Sequence, residues 1–274
     1  MTDRYAVFGN PIAHSKSPVI HAEFAKQTGE DIAYDRQLVE EGQFAEAARD
    51  FFAADGCGLN ITVPFKLDAF AFADQLTERA KHAGAVNTLK KLPDGKVLGD
   101  NTDGAGLLRD ITKNLGWQIA NKRVLVLGAG GAVRGVIALL LAESPQRIVI
   151  ANRTLSKAEE LVQLFNAGKH AQESKILRAS SLQIHARPFD IVINGTSASL
   201  AGAMPDLSPA ILAPHACCYD MMYGKELTPF LQWAKNHGAQ VADGLGMLVE
   251  QAAESFYLWR GVMPETKPVI TLFR

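Results

Sequence analysis

Apolar positions in the first hundred residues fall in short blocks of two kinds. YAVFG, AYDRQLV and GLNITVP read as strands, while residues 18–28 and FAEAARDFFA read as helices. Strand and helix alternating in this way is the rhythm of an α/β layer fold. Ser17 followed by Pro18 supplies a hydroxyl cap and a proline at the first helical position, and Gly29 supplies a stop. In NITVPFK, residues 60–66, Ile61 and Val63 alternate with Thr62 as in a buried strand, Pro64 breaks the ladder, and Lys66 closes the run with a charge. Two short helical pieces follow. VNTLKKLPDGKVLGD is then a hairpin turning at Pro93, Asp94 and Gly95.

From Asn121 the pattern becomes a cleaner repeat. RVLVLG, RIVIAN, FDIVING, ACCYDMM and AQVADG are strands separated by helices, and their apolar runs lack alternation, as in a parallel sheet covered on both faces. The pattern predicts a second domain over residues 104–244. Residues 1–103 plus 245–274 form the first, because the last helix carries a stripe of Leu248, Ala252, Ser255, Phe256 and Trp259 that packs back on it.

Composition narrows the partners. The 274 residues are 47% apolar and 21% charged with a formal charge of -1, and no run of lysines or arginines marks a nucleic-acid or membrane binder. Small molecules are the expected ligands. Cys57, Cys217 and Cys218 form no CxxC pair, and the chain opens without a signal-peptide pattern and contains no membrane-length apolar run, so a cytoplasmic location is expected.

RVLVLGAGGAVRG is a buried strand, a glycine-rich turn and a helix start. Gly128 takes the tight turn, Gly130 lets the backbone approach a pyrophosphate, and the helix N-terminus offers free N–H groups. Val133 stands where a third glycine is usual, with Gly131 and Ala132 keeping the turn small. The second strand ends in Asn152, Arg153 and Thr154 rather than in the acid that holds a ribose 2′-hydroxyl, with Lys157 one helical turn on. A guanidinium there pairs with a 2′-phosphate, so the expected cofactor is NADP; a solvated loop arginine is the plainer reading.

Hydride transfer needs a group to move the hydroxyl proton, and Lys66 and Asp103 are the candidates. Asp103, in GDNTDGAG, falls where the hairpin ends and the chain passes to the second domain, which predicts a site in an interdomain cleft. Capping a helix over residues 104–107 is its alternative, as a surface charge is for Lys66.

HSKSP at 14–18, NITVPFK at 60–66, AGAVNTL at 83–89, GDNTDG at 99–104, GAGGA at 128–132, NRT at 152–154, YDMMY at 219–223 and ADGLGMLVEQAA at 242–253 together resemble the shikimate dehydrogenases, specifically the NADP-dependent biosynthetic type. The resemblance implies an α/β substrate domain joined to a Rossmann-like, doubly wound NADP domain. It implies reversible NADPH-dependent reduction of 3-dehydroshikimate to shikimate, toward chorismate and the aromatic amino acids. Lys66 is implied as acid/base with Asp103 as its partner, both also bonding ring hydroxyls. Ser15 and Ser17 would hold the substrate carboxylate, with Thr62, Asn87, Tyr223 and Gln251 completing the pocket. Gly128, Ala129, Gly130, Gly131 and Ala132 would take the pyrophosphate. Asn152, Arg153, Thr154, Leu155, Ser156 and Lys157 would take the adenosine phosphate end, and Met221 and Gly244 the nicotinamide side. Glu78 matches a further cofactor contact.

Several of these roles also follow from the residues themselves. Ser15 and Ser17, two apart in an extended segment, project to one side beside a helix N-terminus. His14 and Ser15 are adjacent and point apart, which excludes a hydrolase pair, and the other histidines lack zinc-like spacing, so no metal is expected. Gln251 lies four residues after Met247 on the flank of the apolar stripe, and Tyr223 ends a buried strand; a solvated glutamine and a packing aromatic are the plainer alternatives. Two competing functions remain at this stage. One is a dual quinate/shikimate dehydrogenase with NAD as an alternative cofactor, and the other a non-enzymatic NADP sensor, against which Lys66 and Asp103 argue. The sequence leaves monomer and homodimer open.

Overall fold

The strand blocks become two sheets in the computed structural model, which describes residues 2–166, 176–184, 186–196, 198 and 202–274. The chain divides into two compact units, Met1–Gly106 with Leu248–Arg274, and Leu107–Met247.

The first unit holds strands β1 (Asp3–Gly9), β2 (Ile32–Leu38), β3 (Gly56–Ile61), β4 (Gln75–Leu76), β5 (Thr88–Lys91) and β6 (Val97–Asp100) in the order β2-β1-β3-β5-β6-β4. β1 runs parallel to β2 and β3, and the hairpin β5–β6 adds antiparallel to β3. Helices α1 (Ser17–Thr28), α2 (Phe44–Ala53), α3 (Lys66–Phe72) and α4 (Glu78–Ala83) connect the strands. Ala6 and Phe8, two apart and so on one face of β1, pack in a cluster with Phe44, Phe51, Leu59 and Phe65. A second cluster joins Ile20 and Phe24 of α1 to Val249, Ala252 and Phe256.

The second unit holds β7 (Arg123–Leu127), β8 (Arg147–Ala151), β9 (Leu177–Ser180), β10 (Phe189–Asn194), β11 (Leu212–Asp220) and β12 (Gln240–Asp243), all parallel, in the order β12-β11-β10-β7-β8-β9. Alternate residues of β7 explain why this sheet needs helices on both sides. Val124 and Val126 pack with Val136 and Ile137 of α6 (Gly131–Ala142) and Leu161 of α7 (Leu155–Asn166). Leu125 and Leu127 pack with Phe230 and Leu231 of α8 (Pro229–Asn236). The expected Rossmann-like, doubly wound layers are therefore present. The chain passes between units inside α5 (Asp103–Arg109), which continues as a π-helical turn over Asp110–Asn114, and returns inside α9 (Leu245–Arg260).

Local expectations change in five places. Ser17 does not cap α1: it lies in the first turn, Lys16 is the cap residue without a side-chain bond, and Ser15 Oγ instead accepts from the Ser17 N–H at 3.3 Å. The segment between the two serines is accordingly not extended. The strand in NITVPFK ends at Ile61, because the Phe65 N–H closes a turn onto the Thr62 carbonyl at 3.0 Å; Val63 is 66% exposed and Lys66 opens α3. Tyr223 lies in the loop three residues beyond β11 rather than at the strand's end. Between β10 and β11 the described residues show no α-helix, and the chain returns through a 3-10 turn, Pro209–Ile211. β9 and a last helix α10 (Thr266–Leu272) are additions to the elements read from the sequence.

Candidate active site

Lys66 and Asp103 each begin a helix, α3 and α5, and the first unit brings them into an ion pair through Nζ and Oδ2. The other oxygen of Asp103 accepts from Asn87 Nδ2 at 2.8 Å. Both carboxylate oxygens are thus committed to side chains inside a site where Asp103 is 6% exposed, so the capping alternative does not describe it. Asn87 is held in one orientation: its Oδ1 accepts the Thr102 N–H at 2.8 Å, an unequivocal donor, which turns Nδ2 toward Asp103. Gln251 Oε1 lies 3.4 Å from the same nitrogen, and its own amide donates to the Leu248 carbonyl at 2.7 Å. Four of the expected residues therefore form one polar cluster.

Ser15 and Ser17 form a second group, with Ser15 Oγ donating to Ser17 Oγ at 3.2 Å beside the start of α1. Two hydroxyls side by side at a helix N-terminus can turn their hydrogens onto one carboxylate. Thr62 directly follows β3, and its N–H donates to the Phe8 carbonyl at 2.9 Å. Glu78 is 77% exposed in the first turn of α4; its bond to Lys81, 2.7 Å long, holds the carboxyl below the usual range.

In the second unit, Gly128 takes φ 103° at the end of β7, a left-handed conformation suited to glycine. Gly130 caps α6 and Gly131 opens it, and the space a Cβ would occupy on either is open, which leaves the helix N-terminus accessible to a phosphate. Val133 is buried where the usual motif has its third glycine. Room for it comes from the residue just after β10, since a Cβ on Gly195 would stand 2.5 Å from Val133 Cγ2. After β8, Asn152 Nδ2 donates to the Thr154 carbonyl at 2.8 Å and shapes the turn into α7. Arg153, Thr154, Leu155, Ser156 and Lys157 are exposed there, and the Arg153 guanidinium has no hydrogen-bond or ion-pair partner among the described residues. An open glycine cradle with a free cation at the end of the next strand fits a dinucleotide bearing a 2′-phosphate. Met221 is buried in the core cluster beneath α6, and the Gly244 N–H donates to the Met222 carbonyl at 3.0 Å. Tyr223 is half-buried, and burial raises its phenol pKa.

Sequence reasoning missed the polar residues behind Asn87. Asn60, Thr88, Thr102 and Ser255 are buried and hydrogen-bonded to one another. For three of them the signal was present: Asn60, Thr88 and Ser255 are polar residues in segments otherwise read as buried strand, hairpin and apolar stripe, while Thr102 lies just past the hairpin. Asp100, 1% exposed, was also missed; it pairs with Arg79, which reaches Glu254 at 2.8 Å.

Comparison with known proteins identifies the family. Residues 7–89 match the shikimate dehydrogenase substrate binding domain, 110–202 the shikimate / quinate 5-dehydrogenase family and 244–271 the shikimate 5′-dehydrogenase C-terminal domain. The chain is 60% identical over 275 residues to a shikimate dehydrogenase (NADP(+)) of Cellvibrio japonicus, covering 100% of this chain and 98% of that one. Among solved structures, an Ael1 enzyme from Pseudomonas putida superimposes with a TM-score of 0.92 at 46% identity, over 99% of this chain and 98% of the other. Shikimate 5-dehydrogenase from Thermus thermophilus, in complex with NADP(H) and shikimate, gives 0.87 at 32% identity over 98% of each chain. The chain belongs to the shikimate dehydrogenase family.

Proposed function

We propose that this chain catalyses the reversible, NADPH-dependent reduction of 3-dehydroshikimate to shikimate, a step toward chorismate and the aromatic amino acids. The observation that carries the reading is the lysine–aspartate pair braced by Asn87. NADPH supplies the hydride that goes to the ketone carbon. Lys66 holds the proton, and its ammonium releases it to the ketone oxygen as the new C–H bond forms; in oxidation the amine takes the hydroxyl proton back. Asp103 orients that nitrogen and shares the ring hydroxyls with it. Ser15 and Ser17 donate to the substrate carboxylate, while Thr62, Asn87, Gln251 and Tyr223 bond the rest of the ring.

Residues 128–132 would cradle the pyrophosphate, and Arg153 with Lys157 would pair with the 2′-phosphate, flanked by Asn152, Thr154, Leu155 and Ser156. Met221 and Gly244 would border the nicotinamide. Glu78 is the weakest of the assignments, since its carboxylate already has a local partner. All assigned residues come from one chain, so the reading holds for a monomer or a homodimer. The cytoplasm suits it, with the thiols of Cys57, Cys217 and Cys218 unpaired.

Steady-state kinetics of Lys66→Ala test the role of the pair. The expected result is a kcat lowered by roughly 10² to 10⁴ with little change in KM for shikimate. A variant with near wild-type kcat and a raised KM would make Lys66 a binding residue instead.

A further inference from the structure

We propose that Tyr34 is a positioning residue of this site, heading a one-way chain of hydrogen-bond donors that ends on the carboxylate of Asp103. The proposal rests on the reading of Lys66 and Asp103 as the acid/base pair.

Tyr34 donates to Asn60 Oδ1 at 2.7 Å. The direction is forced. Asn60 Nδ2 donates to Ser255 Oγ at 3.0 Å and Thr88 Oγ1 at 3.2 Å, so the amide oxygen faces Tyr34, and a carbonyl oxygen only accepts. Thr88 accepts from Asn60 and passes its single hydrogen to Asn87 Oδ1 at 2.9 Å. Ser255 also accepts from Asn60 and turns its own hydrogen to Thr88 Oγ1 at 2.8 Å or to the Gln251 carbonyl at 3.1 Å, neither of which reverses the chain. Asn87 then presents Nδ2 to Asp103. Asn60, Thr88 and Ser255 are at most 6% exposed, so bulk water does not replace a missing donor.

Burial pushes the Tyr34 phenol pKa well up, and the Ser17 hydroxyl opposes part of that rise. The Tyr34 ring is fixed by stacking on buried His21, with centroids 4.2 Å apart and planes at 10°.

The test is a double-mutant cycle on the full chain, with shikimate and NADP+ as substrates. Tyr34→Phe removes one oxygen and is expected to lower kcat about 5- to 30-fold while leaving the Kd for NADP+ unchanged. Thr88→Val, which cuts the same chain further on, is expected to act non-additively, the double variant losing no more than the worse single one. A folded Tyr34→Phe with wild-type kcat, or losses that multiply, would overturn the proposal. Should Tyr34→Phe not fold, Asn60→Ala, which cuts the chain at its next link, paired with Thr88→Val reads the same chain by the same criterion. A wild-type protein that forms no NADPH from shikimate would instead overturn the underlying reading of the site.

Discussion

His21 is completely buried, and neither ring nitrogen has a hydrogen-bond partner among the described residues. Between Tyr34, Phe24, Phe256 and Trp259 it serves as an apolar ring, and burial lowers its pKa to about 3. The unfolded chain binds this proton near the ordinary histidine value, so between about pH 6.5 and 3 the unfolded state holds more protons than the folded one. Stability from this residue is therefore complete above about pH 6.5 and is lost as pH falls toward 3. His21→Phe keeps the stack and removes both the titration and the orphaned nitrogens. Denaturant unfolding at pH 7.5 and pH 5 is expected to show the wild type losing on the order of 2 kcal/mol more than the variant. Equal losses would contradict a neutral, buried imidazole. Nothing in the sequence around His21 distinguishes it from a surface histidine on α1. Lys66 and Asp103 were more legible, because a charge beside NITVP and another in GDNTDG stand out against apolar or turn residues. Even so, their contact depends on two helix starts that local pattern did not fix.

At the scale of elements, the parallel strands of the second unit were legible because a strand covered on both faces is a continuous apolar run. β9 was not: LRAS is short and half polar, and it is a strand only because β8 offers a free edge. α10 is likewise short, and Pro268 near its start reads as a breaker until tertiary packing of Val269 and Ile270 decides the matter. Glycines at element junctions separate stability from binding. A Cβ on Gly244, between β12 and α9, would stand 2.2 Å from the Met221 carbonyl oxygen, and backbone cannot move aside cheaply. Gly244→Ala is expected to cost at least about 2 kcal/mol and to lower Tm by several degrees. Gly130→Ala meets no atom within 4 Å, so its Tm should stay close to wild type while the KM for NADP+ rises. Thermal unfolding of the two variants checks this; a stable Gly244→Ala would contradict the close approach.

At the scale of the molecule, the two sheets differ, one mixed through the hairpin read from the sequence and one wholly parallel as its apolar runs implied. The sequence carried this much because glycine turns and buried strands leave local signatures. The polar spine from Tyr34 to Asn87 spans residues 34 to 255 and exists only after folding, so no local window holds it. On the proposed reading specificity is also set at this scale: the serine pair would meet the carboxylate end of the substrate, and Arg153 would meet the phosphate end of the cofactor. Quinate carries an extra hydroxyl at the carboxylate-bearing carbon, and NAD lacks the 2′-phosphate. The most direct measurement is kcat/KM for shikimate and quinate, each with NADP+ and NAD+. Shikimate with NADP+ is expected to exceed every other combination by roughly 100-fold or more. A kcat/KM for quinate, or with NAD+, equal to or above that of shikimate with NADP+ would contradict these assignments.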